Sequence, residues 1–68
     1  MTYTAVIKQI GSDWIGWIEE IPGVNCQEGT RDELEETLRI TLQEAIAFNR
    51  EQALALVGAG YQEFAISV

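Results

Sequence analysis

The residues able to do chemistry in this chain are mostly carboxylates. There are 11 Asp and Glu, one cysteine (Cys26) and no histidine. Without an imidazole there is no ordinary general base near neutral pH and no histidine-ligated metal. Paired carboxylates can share acid and base roles, but only where a cleft gives them different environments. Glu19-Glu20 and Glu35-Glu36 are adjacent in sequence, so their side chains tend to diverge. A calcium loop needs several oxygens around one turn, and Glu28 with Asp32 falls short of that. Cys26 has no base near it in sequence and reads as a small packing residue rather than an activated thiolate. Gly58-Ala59-Gly60 precedes a strand-like run instead of a helix, so it is a turn and not a phosphate cradle. The chemistry on offer is that of a binding surface, with catalysis, metal and cofactor all unsupported.

The elements that must position this surface follow from periodicity. Thr2–Ile10 and Trp14–Glu19 alternate in strand fashion around Gly11-Ser12-Asp13, which predicts a hairpin. Tyr3, Ala5, Ile7, Trp14, Gly16 and Ile18 are expected on the inner face, where Gly16 beside the small Ala5 would admit a helix. The outer face then carries Thr4, Val6, Lys8, Ile15, Trp17 and Glu19. An apolar patch containing a tryptophan on a face that is ordinarily polar predicts a protein contact. Ile15, Trp17, Glu19 and Glu20 are the expected partner-binding residues.

Pro22-Gly23 breaks the chain out of the hairpin, and Val24–Gln27 reads as a short third strand. Thr30 with Glu33 three residues later is a capping box, and Asp32 and Glu33 suit the positive end of a helix dipole. From Arg31 the apolar stripe Leu34, Leu38, Leu42, Ala45, Ile46, Asn49, Ala53 faces a core, bordered by Phe48. Glu33, Glu36, Glu44 and Glu51 lie opposite, and Ile40 among them hints at cover on part of that face. The helix must stop between Asn49 and Gly58, where Gly58 and Gly60 supply a left-handed cap. Phe64–Val68 alternates again and reads as a fourth strand, parallel to a neighbour or swapped into a second molecule. The expected fold is a single α+β domain over residues 1–68. It has two layers, a three-stranded antiparallel meander with one long helix on one face, then a fourth strand (β-β-β-α-β).

Sixty-eight residues bury only roughly 60% of their unfolded surface, so a thin core favours a homo-oligomer. A net charge of -7 repels nucleic acid and anionic membrane and steers the chain toward basic partners. One cysteine excludes an internal disulfide, Met1–Ile10 is no leader, and no apolar run spans a bilayer, which together read as a cytoplasmic protein.

The segment Glu20-Ile21-Pro22-Gly23-Val24 through Gln27-Glu28-Gly29-Thr30-Arg31-Asp32-Glu33-Leu34, with the hairpin Tyr3–Glu19 before it, resembles the HicB-like antitoxin family. The resemblance runs from Tyr3 to about Asn49. It implies a partial ribonuclease-H-like fold without nuclease activity, whose task is to bind and block HicA, a small basic RNA-cleaving toxin. Many family members carry a C-terminal DNA-binding domain, and nothing after the fourth strand-like run corresponds to it, so no direct nucleic-acid binding is expected. Beside the antitoxin reading stand a self-associating scaffold or small-ligand domain with no toxin partner and, least favoured, a small enzyme.

Overall fold

A computed structural model describes residues 2–68. Three strands and one helix follow in the order β1 (Ala5–Ile10), β2 (Asp13–Ile18), β3 (Asn25–Glu28) and α1 (Arg31–Val57). The sheet is an antiparallel meander of order β1-β2-β3, and the helix lies across one face of it against β2 and β3. This is the α+β arrangement that the periodicities predict.

The β1–β2 hairpin turns on two residues, because Ile10 pairs with Asp13. Gly11 takes φ 61°, which a short hairpin turn demands of its first residue. Asp13 therefore belongs to β2 and not to the turn. Beyond Pro22, Gly23 sits at φ 90° and swings the chain back. The third strand starts one residue later than expected. Val24 is buried in the core, and its carbonyl accepts the Ile18 N–H at 3.4 Å.

The core consists of Ile18, Val24, Leu34 and Leu38, packed round by Tyr3, Ile7, Trp14, Ile21, Cys26, Leu42 and Ala45. The hairpin's inner face is thus the expected one. Gly16 is buried there as a point of close approach. A Cβ on it would lie 3.0 Å from Leu38 Cδ1 and 3.0 Å from Ile7 Cγ2. The register sets Gly16 opposite Ile7, and Ala5 opposite Ile18, so Ile7 rather than Ala5 is its cross-strand neighbour.

Thr30 caps the helix as predicted, its hydroxyl oxygen accepting the Glu33 N–H at 3.2 Å. At the other end Gly58, at φ 74°, donates its N–H to the Leu54 carbonyl at 3.1 Å. Two side-chain bonds tie α1 to β3. Thr37 Oγ1 donates to Glu28 Oε2 at 2.7 Å, and the Cys26 thiol donates to Thr41 Oγ1 at 3.6 Å. Cys26 is half-buried, in keeping with a packing role.

Two expectations are corrected. The helical stripe stays at least half-buried only as far as Ala45 and Ile46, and Asn49 and Ala53 are exposed. At 27 residues α1 is about 40 Å long, whereas a six-residue strand spans about 20 Å, so its second half overhangs the sheet. Ile40, expected under partial cover, is 49% exposed. The fourth strand is the other correction. Phe64–Val68 forms no strand, and every residue from Asn49 onward is exposed. Gly58 and Gly60 turn the tail back beside Arg50 on the overhanging half of the helix, so it lies away from the sheet edge.

Candidate functional site

Alternation along β2 and the register of both ladders build the outer face of the sheet. Val6 stands opposite Trp17 and Lys8 opposite Ile15 on one side, while Asn25 stands opposite Trp17 and Gln27 opposite Ile15 on the other. Trp17 is therefore central in a three-residue row, and it is 46% exposed. Ile15 and Val6 are half-buried next to it. Among the described residues nothing packs over this face, because their only helix lies on the opposite one.

The structure brings three of the four expected partner-binding residues together. Ile15 and Trp17 are consecutive outward residues of β2, and Glu19 joins Trp17 at a shallow hollow completed by Pro22, Gly23 and Asn25. Glu20 diverges from them. Its Oε1 accepts the Thr4 N–H at 2.7 Å, closing the end of the hairpin beside the Glu19 N–H to Thr4 carbonyl bond at 2.9 Å. That backbone donor holds the Glu20 carboxyl below its ordinary value, since it favours the ionised form. Glu20 thus clamps the start of β1 to the segment after β2, leaving its second oxygen for solvent or a partner.

Asn25 and the Pro22-Gly23 rim are not among the partner-binding residues expected from the sequence, where Pro22-Gly23 reads only as a turn. The signal that finds them is the β2–β3 register, which follows only once the length of the Glu19–Val24 turn is known. At the far end of the same face, Gln27 Nε2 donates to Asp13 Oδ2 at 3.0 Å. The floor is thus an apolar strip (Val6, Ile15, Trp17) with carboxylates at both ends (Asp13 and Glu19). Lys8 is the one base among the outward-facing residues of the three described strands.

On the helix, Glu33, Glu36, Glu44 and Glu51 are all exposed, so the acidic character extends beyond the sheet. Among the described residues no three His, Cys, Asp or Glu side chains converge as metal ligands would. No buried side-chain polar atom among them lacks a hydrogen-bond partner. No helix among them is long and apolar enough to cross a membrane. The arrangement suits contact with a protein surface that is apolar at its centre and basic around it. Comparison with protein-family models, with curated proteins and with solved structures finds no match to this chain.

Proposed function

We propose that this protein is an antitoxin-like binding module that occupies and neutralises a small basic RNA-cleaving toxin of the HicA type. The observation that carries the reading is the uncovered outer sheet face, with Trp17 at its centre and acids at its rim. Its second support is the resemblance of Glu20–Leu34 and the preceding hairpin to the HicB-like family, with the partial ribonuclease-H-like fold that this implies. Binding is the whole of the proposed task, with no catalytic step.

The physical logic is substitution. A site built for RNA is basic, so a chain of net charge -7 is drawn to it and displaces the nucleic acid. Long-range attraction of this kind sets the association rate and weakens with salt, while Trp17 supplies the short-range apolar anchor. A central tryptophan typically contributes about 2 kcal/mol, which is roughly 30-fold in affinity. A small basic reading frame beside its gene is the first thing the proposal requires, and co-expression with that frame should restore growth that the frame alone arrests. Trp17→Ala should weaken the rescue while leaving the fold intact. Absence of rescue by the unmodified chain overturns the assignment. The self-associating reading is favoured by a separate observation, the uncovered tail and overhanging helix, and it leaves Trp17 free.

A further inference from the structure

The helix side of the sheet is incomplete along β1. Because α1 lies over β2 and β3, an open groove of about 320 Å³ remains between β1 and the first three turns of the helix. Tyr3, Ala5, Ile7, Leu38 and Leu42 give it an apolar floor, and Arg31, Glu35 and Arg39 rim it. In the β1-β2-β3 order, β1 is also an edge, so the backbone groups on its outer side have no ladder partner. The site is shaped for one more strand, with alternate side chains pointing into the groove.

The chain contains a segment of that description. Phe64, Ile66 and Val68 share one side of an alternating run and are 82%, 69% and 112% exposed. The small Ala65 and Ser67 would face outward. Successive inward residues of an extended strand repeat every two residues, the same spacing as Tyr3, Ala5 and Ile7 on β1.

The segment does not occupy the groove of its own chain. Gly58 and Gly60, at φ 74° and 84°, reverse the tail so that Glu63 and Phe64 share a hollow with Arg50. Arg50 lies eight residues along α1 from Leu42, the last helical residue of the groove, which is about 12 Å. Phe64 therefore sits well short of the cavity that its side chain would fill.

The surface area makes the same case. A folded monomer of 7.6 kDa exposes about 4,300 Å², and this chain exposes 5581 Å². The excess, about 1,300 Å² per chain, exceeds the roughly 800 Å² per partner of a standard stable interface. The radius of gyration is 15.2 Å, against about 11 Å for a compact chain of this length.

We propose that the protein is a strand-exchanged homodimer. The Phe64–Val68 segment of each copy pairs with β1 of the other and seats Phe64, Ile66 and Val68 in the groove against α1. This goes beyond the toxin-binding assignment and is independent of it, because the exchanged strand adds to the outer edge of β1, while Trp17 stands on the central strand β2.

Light scattering coupled to size exclusion tests the mass, and isotope-filtered NMR on a mixed labelled and unlabelled sample tests the exchange. The expected results are a mass twice 7.6 kDa and intermolecular contacts from the Phe64 ring to Ala5 and Ile7. Ile66→Glu should reduce the mass to that of one chain without loss of helical signal, since Ile66 is outside the single-chain core. Trp17→Ala should leave the mass unchanged. A mass of one chain for the unmodified protein, Phe64 contacts confined to its own chain, or a dimer dissolved by Trp17→Ala would each overturn the proposal. The NMR arm needs no substitution, so it decides the matter even if the glutamate variant fails to fold.

Discussion

Gly16→Ala is the sharpest probe of how the helix meets the sheet. The added methyl would lie 3.0 Å from Leu38 Cδ1, 3.0 Å from Ile7 Cγ2 and 3.1 Å from the Val6 carbonyl oxygen. Leu38 Cδ1 is a side-chain end that can shift, whereas Ile7 Cγ2 is a methyl on a β-branched carbon and moves only with its stiff χ1. The third is backbone, held in the β1–β2 ladder, and cannot shift. Overpacking of this kind costs about 1–3 kcal/mol. Gly16 is not among the positive-φ glycines, so alanine also recovers about 0.5–1 kcal/mol of backbone entropy. The net expectation is a loss of about 1 kcal/mol, or roughly 4–8 °C in Tm for a domain of this size. Thermal unfolding followed by circular dichroism at one fixed protein concentration measures it, since association would otherwise shift Tm. A double-mutant cycle locates the cause. Leu38→Ala alone should cost about 2–5 kcal/mol, and in its presence the Gly16→Ala penalty should shrink by at least about 0.5 kcal/mol. Unchanged or raised stability in Gly16→Ala, or additivity with Leu38→Ala, would refute the close approach.

Three further outcomes are expected. Thr30→Ala removes the acceptor for the Glu33 N–H and should cost about 1 kcal/mol in urea unfolding, while Thr30→Ser should be close to neutral. Glu20 has a folded-state pKa below its reference of 4.5, so its contribution to stability is present above that value and is lost as pH falls through the lower folded pKa. Glu20→Gln should flatten this acid limb of the urea midpoint, and an unaltered limb would remove the Thr4 clamp as its cause. Trp17→Ala should change stability by less than about 1 kcal/mol, as suits a 46% exposed strand residue, while weakening partner binding roughly 30-fold by calorimetric titration.

Much of the fold was legible in residue order because it rests on local physics. Alternation separated Gly16 and Ile18 from Trp17 without reference to any partner strand. The Thr30–Glu33 spacing marked the helix start, since a cap is made by residues three apart. Gly58 marked its end, because only a residue free to take positive φ closes the last turn cheaply. Leu34 and Leu38 were legible as core because one turn of helix repeats the buried face.

What only the tertiary structure decided are matters of register, reach and length. Cross-strand pairing put Ile7, not Ala5, opposite Gly16 and set Asn25 beside Trp17, because register depends on how many residues the turns consume. Glu20 left the candidate contact surface for the Thr4 N–H, a bond across 16 residues that no local pattern encodes. The same holds for Phe64–Val68. Its alternation is that of a strand, yet alternation specifies only which face a residue would show. Whether the segment meets an edge depends on where the chain leaves a helix about 40 Å long over a sheet about half that size, and on how Gly58 and Gly60 then turn it. Residue order therefore determined a strand-forming segment, and the tertiary structure decided that it lies beside Arg50 and not against the sheet.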